Sequence, residues 1–214
     1  MKPLAKRVPL LIAELERLYP DASTELDFET PLQLLVAVVL SAQCTDKRVN
    51  IVTPALFARF KTANDYATAK LSEIEEYIRT TGFFRNKAKN IQAACRALVE
   101  RHNSEVPNTL EELTALPGLG RKSANCILGD VFDTPGITVD THVGRLSRRL
   151  GLTTLTDPVK VEFALMKLLP QPTWTDVSHR LILHGRRVCD ARKPKCGECS
   201  LADICPKVGV THPR

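Results

Sequence analysis

At 214 residues the chain is long enough to bury one substantial core or two modest ones. Hydrophobic residues make up 43% and aromatics only 5%, a balance that suits packed helices, and no apolar run approaches the roughly 20 residues a membrane-spanning helix needs. The net charge of +6 is uneven, because residues 1–133 carry 17 Lys and Arg against 17 Asp and Glu while residues 134–214 carry 13 against 7. Arg145, Arg148, Arg149, Arg186, Arg187, Arg192, Lys193 and Lys195 make most of the excess. Basic charge so concentrated suits a polyanion, of which nucleic acid is the commonest, with a solvated basic surface as the alternative.

The N-terminal MKPLAKRVPLLIAELERLYP is basic and then apolar, but Glu14, Glu16 and Arg17 interrupt the apolar stretch and no small-residue cleavage site follows. That predicts an amphipathic helix, not a signal peptide, and an intracellular protein in the cytoplasm or on the nucleoid. Thr30-Pro31 sets a capping hydroxyl before a proline suited to the first helical turn. The LQLLVAVVLSAQ that follows is apolar nearly all round and predicts a buried central helix. Between Phe84 and His102, the residues Ala88, Ile91, Cys95, Leu98 and Val99 recur at helical spacing. Thr109 and Glu112 fit a capping box opening another helix. Asp157-Pro158 starts a further one, and Trp174 to Val188 forms the last. No segment alternates as a strand should, so the chain is predicted to be all-α. Turn residues Asp133-Thr134-Pro135-Gly136 coincide with the change in charge balance and mark a candidate domain boundary. Cys44, Cys95 and Cys126 fall in apolar helical patterns and are expected as buried free thiols.

Residues 113–128, LTALPGLGRKSANCIL, read as a helix end, a tight turn at Pro117-Gly118-Leu119-Gly120, and a new helix from near Arg121. The two glycines give positive-φ freedom and let backbone amides approach a phosphate. This is a helix-hairpin-helix pattern, a sequence-independent grip on the DNA backbone in which Gly118, Gly120 and Arg121 are candidate contacts. Lys122 falls at the positive end of the helix dipole, a poor place for a structural cation. A neutral amine there is a nucleophile able to form a Schiff base, whereas a charged one is a phosphate contact. Eighteen residues on, in VDTHV, Asp140 opens a helix. An N-cap role explains it, and a carboxylate held near a lysine amine also suits stabilisation of a cationic sugar or proton transfer.

Cys189, Cys196, Cys199 and Cys205 stand with gaps of six, two and five residues. Four sulfurs in one short segment point to an iron–sulfur cluster or a structural zinc. Zinc sites usually show two short pairs separated by a long finger, and only one short pair exists here, which favours a cluster. Structural disulfides are disfavoured without a secretory context. The tether between the first two cysteines carries Arg192, Lys193 and Lys195, three cations suited to phosphates. His184, in the apolar LILHGRR, is expected as a hydrogen-bonded internal histidine and not as a ligand.

Together LLVAVVLSAQCTD, LPGLGRKSA, VDTHV, LILHGR and the C-x6-C-x2-C-x5-C loop resemble the endonuclease III family of DNA glycosylase/AP lyases over most of the chain. The resemblance implies a two-lobed all-α fold, with a central helical domain over 25–133 carrying the hairpin. A discontinuous cluster domain would then comprise 1–24 plus 134–214. It implies a [4Fe–4S] cluster on the four cysteines, more structural than redox-catalytic. It also implies a monomer acting on double-stranded DNA that contains damaged pyrimidines or abasic sites, with no membrane partner. By motif position Lys122 becomes the lyase nucleophile and Asp140 its carboxylate partner, acting on a nucleotide turned out of the duplex. Gln43 becomes the wedge that fills the gap. Phe83 stands where relatives often carry a smaller aliphatic residue; it is a second wedge candidate or a core residue starting a helix. Ser41 and Asp46 are candidates for the base pocket, and Asp46 equally for an N-cap near Lys47. Three competing readings remain. An adenine glycosylase of the superfamily lacks a lysine at this position and normally adds a C-terminal domain, whereas this chain ends nine residues after Cys205. A thymine or uracil mismatch glycosylase shares the fold, and a non-catalytic DNA-binding module would form no covalent intermediate.

Overall fold

The computed structural model describes residues 3–214, and among them no residue lies in a strand. In chain order the helices are α1 (Leu4–Leu18), α2 (Pro31–Leu40), α3 (Asp46–Arg59), α4 (Ala63–Thr68), α5 (Leu71–Ile78) and α6 (Phe84–Arg101). They continue with α7 (Leu110–Ala115), α8 (Arg121–Val131), α9 (Thr141–Arg149), α10 (Pro158–Leu168) and α11 (Trp174–Arg187). Short 3-10 turns occupy Arg79–Thr81 and Gln171–Thr173. The all-α prediction holds. Among the described residues no helix is long and apolar enough to cross a membrane.

Several boundaries follow from local chemistry. The Thr30 hydroxyl accepts from the Gln33 amide at 3.2 Å and Pro31 occupies the first turn, where its missing N–H costs nothing. Asp157 does the same for Lys160 at 2.9 Å. At α7 the expected capping box is only half formed. Thr109 accepts from the Glu112 amide, but the Glu112 carboxylate turns to the Thr109 hydroxyl instead of its backbone N–H. A complete box belongs to Thr62 and Asp65 at α4, built with an aspartate where the usual pattern has Glu or Gln.

The chain divides into two compact units, Glu25–Asp133 and Met1–Thr24 with Thr134–Arg214. In the first, every residue of α2 from Leu34 to Leu40 is buried, so the helix with no polar face becomes the centre around which α3, α6 and α8 pack. Phe60 and Tyr66 stack beside it with centroids 4.8 Å apart. Each fully buried Leu or Phe contributes roughly 1.5–3 kcal/mol, so this apolar helix anchors the unit. Ala88, Ile91, Cys95 and Leu98 of α6 face the core as their spacing predicts, but Val99 is 36% exposed and turns away from it. Cys44 departs from expectation too: it lies half-buried in the turn between α2 and α3, outside any helix.

The second unit has its own core. Val8, Leu11 and Leu15 of α1 share one core with Val143 and Leu146 of α9, Val161 and Leu165 of α10, and Val177 and Leu181 of α11, and α1 packs directly on α11. The buried Arg7 guanidinium ties α1 further in, donating to Leu150 O at 2.7 Å and Ile204 O at 2.9 Å.

Candidate functional site

In the Glu25–Asp133 unit, the turn joining α7 to α8 is a tight one, with the Leu119 amide donating to Leu116 O at 3.2 Å. Pro117 and Gly118 are its central residues, and Gly118 has φ +81°, which is the type II arrangement. A Cβ at Gly118 would also stand 2.7 Å from the Asn90 Cβ of α6. Gly120 differs from expectation. Its φ of −103° is open to any residue, and a Cβ there would meet nothing within 4 Å. Its lack of a side chain instead leaves the start of α8 uncovered, and no side chain caps that helix. Leu119, between the two glycines, is buried and pins the turn to the core.

Lys122 follows directly, exposed in the first turn of α8, beside the half-buried Arg121. Lys122, Cys126 and Asp130 recur at four-residue steps and so share one face of the helix. The Cys126 thiol donates to Asp130 Oδ2 at 3.2 Å. Burial pushes that thiol up, Asp130 adds to the effect, Lys122 opposes it, and Asp46 is close enough to act in the same sense as Asp130. Lys122, Asp46, Cys126 and Asp130 therefore gather in one neighbourhood. Cys126 and Asp130 were not legible as site residues, because they read as ordinary helix positions. Asp46 does not cap α3. Thr45 holds that place, its hydroxyl accepting from the Arg48 amide at 3.3 Å, with Asp46 in the first turn.

Two exposed side chains of the same unit sit on unusual backbone. Gln43 has φ +51° and Phe83 has φ +46°. Phe83 is the residue before α6 and is 66% exposed, so it is not a core residue. Ser41, half-buried at the end of α2, donates its hydroxyl to Val38 O at 2.9 Å. Between them lies Lys87, whose buried ammonium donates to Leu40 O at 2.8 Å and to Thr81 O at 2.6 Å.

Asp140 belongs to the other unit. It caps α9, with Oδ1 accepting from the Val143 amide at 2.8 Å. The four loop cysteines of this unit are free thiols that ring one hollow of about 430 Å³, counting the part open to solvent. Leu146, Leu150, Val188, Leu201 and Val210 supply apolar wall. All four sulfur-bearing residues line this one hollow. Donors face them. Arg149 Nη1 reaches Cys189 Sγ at 3.3 Å, the Lys207 amide donates to Cys205 Sγ at 3.4 Å, and His184 Nε2 lies 3.4 Å from Cys199 Sγ. Burial, with the neighbouring thiols, pushes Cys199 and Cys205 up, so thiolates at these two positions call for nearby positive charge, which an iron core would supply. The donor set and the hollow fit a cluster.

His184 is buried as expected, its Nδ1 3.0 Å from the Tyr19 hydroxyl, and burial holds it down at about 4. Two arginines counted in the basic excess turn inward. Arg149 donates to Asp190 O at 2.6 Å and Ala191 O at 2.7 Å, and Arg145 Nη2 donates to Gly185 O and Cys189 O, each at 3.0 Å. They fasten the start of the cysteine loop to α9. Arg192, Lys193 and Lys195 remain exposed on that loop, where Asp190 Oδ1 accepts from the Arg192 and Lys193 amides.

Residues 36–171 match the family described as the HhH-GPD superfamily of base excision DNA repair proteins, and residues 189–205 match the iron-sulfur binding domain of endonuclease III. Hairpin, all-α fold and cysteine hollow together define a helix-hairpin-helix base-excision repair protein. The chain is 58% identical to endonuclease III of Synechocystis sp. over 94% of its length and 92% of that protein. It is 43% identical to endonuclease III of Escherichia coli K12, covering 94% of this chain and 95% of that one. A solved structure of a trapped endonuclease III–DNA covalent intermediate superimposes with a TM-score of 0.91 at 44% identity, covering 97% of each chain. The chain belongs to the endonuclease III family, and its cofactor is a [4Fe–4S] cluster.

Proposed function

We propose that this protein is a bifunctional DNA glycosylase and AP lyase that excises oxidised or ring-saturated pyrimidines from double-stranded DNA and cuts the strand 3′ to the resulting site. The observation that carries this reading is Lys122, an exposed primary amine one residue into the helix that follows the type II turn, on the same helix face as Cys126 and Asp130. Backbone amides of the turn and of the uncapped start of α8 grip a phosphate, and Arg192, Lys193 and Lys195 add a sequence-independent charge attraction. The damaged nucleotide turns out of the stack, and Gln43 and Phe83 fill the gap it leaves.

The Lys122 amine, neutral at the instant of attack, then adds to the sugar C1′. The glycosidic electron pair leaves with the base, which takes up a proton. Ring opening gives a protonated imine between Nζ and C1′. Loss of a proton from C2′ expels the 3′ phosphate by breaking the C3′–O3′ bond. Water hydrolyses the imine, frees Lys122 and leaves an unsaturated aldehyde on one strand end and a 5′-phosphate on the other. Asp140 has Oδ1 committed to the Val143 amide, and its second oxygen serves the cationic sugar or the proton movements. The [4Fe–4S] cluster supplies a folded, basic loop; excision and elimination exchange no electrons. We place the protein inside the cell, on chromosomal DNA.

The test is a duplex with one thymine glycol, labelled at its 5′ end. Release of free base together with a 3′-unsaturated-aldehyde fragment in equal amounts is the expected result. Base release with an intact strand contradicts the lyase step, and binding without release contradicts catalysis altogether.

A further inference from the structure

Lys87 is a buried cation that the chemistry above does not use. It lies in the first turn of α6 and is 4% exposed. Burying an ammonium is expensive, and an apolar side chain of similar volume usually serves a core as well or better. Burial does lower the proton affinity of Lys87, with the nearby Cys44 thiol working against the shift. Simple filling of space therefore does not account for a lysine here.

Its partners do. Nζ donates to Leu40 O at 2.8 Å and Thr81 O at 2.6 Å. Leu40 is the last residue of α2, so its carbonyl is one that the helix itself leaves without a partner. Thr81 ends the 3-10 turn before Gly82. Three residues past Leu40 comes Gln43, and two past Thr81 comes Phe83, both in left-handed backbone. Neither is a glycine, asparagine or aspartate. Such conformations persist only where the surroundings over-determine them, and they gather at functional sites. Both side chains face solvent, so packing of their own does not hold them. A single nitrogen with several N–H bonds can fasten two turns to each other, which no apolar residue can do.

We propose that Lys87 is a positioning residue for lesion recognition: it joins the turn that presents Gln43 to the turn that presents Phe83 and fixes the two at one spacing. This rests on the proposed wedge role of those two residues. Lys87 touches no substrate and acts through them.

A double-mutant cycle tests it, using Lys87→Met, Gln43→Ala, Phe83→Ala and the two doubles that contain Lys87→Met. The readouts are the ratio of Kd for an undamaged duplex to Kd for one with a tetrahydrofuran abasic analogue, and the fluorescence of 2-aminopurine opposite that analogue. Lys87→Met is expected to cut the ratio about tenfold, the size of coupling seen within one contact network, and to quench the fluorescence rise. Affinity for undamaged duplex should change less than twofold. Adding either alanine to Lys87→Met should then cost less than it costs in the wild type. Additive losses, or an unchanged ratio in Lys87→Met, would overturn the role of Lys87 while leaving the wedge in place. An unchanged ratio in both alanine variants would overturn the wedge reading itself and this inference with it. Should Lys87→Met fail to fold, Lys87→Gln enters the same cycle, since one amide can reach one carbonyl but not hold both.

Discussion

Replacing Gly118 by alanine separates what the hairpin turn needs for folding from what it needs for binding. At φ +81° an L-residue incurs about 1–2 kcal/mol of backbone strain. The new methyl also meets the Asn90 Cβ at 2.7 Å, an atom bonded to the backbone that no rotamer change can withdraw. Relieving that overlap needs a shift of α6 or of the turn and costs roughly 1–3 kcal/mol. The sum, about 3 kcal/mol, corresponds to a fall in Tm of roughly 6–12 °C for a protein of this size. Gly120→Ala is the internal control. Its φ of −103° is unstrained and its methyl meets nothing within 4 Å, so its Tm should stay within a few degrees of wild type. Because that methyl stands at the uncapped start of α8, affinity for undamaged duplex should fall in Gly120→Ala. Thermal unfolding followed by circular dichroism and fluorescence anisotropy at fixed salt give both numbers. A Gly118→Ala protein melting within about 2 °C of wild type would refute the reasoning, as would a Gly120→Ala protein that melts as early as Gly118→Ala.

Asp140→Asn retains an oxygen that accepts from the Val143 amide, so stability should hardly change, while single-turnover strand cleavage should fall about 100-fold or more if the carboxylate assists proton movement. Asp140→Ala should lose the same activity and, in addition, about 1 kcal/mol of stability with the helix cap. Cys196→Ser removes one thiolate and should abolish the brown absorption of the cluster and weaken DNA binding; a wild-type preparation that is colourless and holds one zinc would contradict the cluster. Glu14 is held down at about 2, chiefly by the Arg17 fork at 2.7 and 2.9 Å and then by Ser200. Because its folded value lies below the ordinary 4.5, its contribution is present above pH 4.5 and lost as the pH falls through about 2. The pair is exposed and screened, so Glu14→Gln should lower stability at pH 7 by less than about 1 kcal/mol, and the difference should vanish near pH 2 in urea titrations.

Features set by strictly local chemistry were legible in the sequence. Thr30-Pro31 and Asp157-Pro158 announce helix starts, because a hydroxyl or carboxylate followed by a proline satisfies the first turn whatever packs on it. Pro117-Gly118 announces a tight turn, because proline presets the φ of one central residue and glycine accepts a positive φ at the next. Of the region 46–78, only a helix start near Lys47 was legible. Pro54 lies inside α3, and α4 is a single six-residue element whose box uses Asp65. α4 depends on packing against α6, and α3 on packing against α2 and α5, more than on their own pattern. Gly120 misled because its conformation is dictated by the helix it opens, not by its lack of a side chain. Arg145 and Arg149 misled in another way. A charge count cannot tell a guanidinium aimed at phosphate from one spent on carbonyls of Gly185, Cys189, Asp190 and Ala191. Lys87 escaped notice because periodicity counts apolar positions, and a buried lysine looks like an exposed one until its partners are known. The cysteine loop was the opposite case, since four sulfurs at short spacing have few other uses.

The central claim is that Lys122 becomes covalently joined to the sugar. Borohydride reduction during turnover on a thymine glycol duplex traps that imine as a stable amine, and mass mapping of the digested adduct locates it. The result predicted is one protein–DNA adduct on the peptide containing Lys122, absent from Lys122→Gln, which still binds the duplex. An adduct of equal yield in Lys122→Gln, or wild-type cleavage with nothing trapped on either thymine glycol or an abasic site, would contradict it.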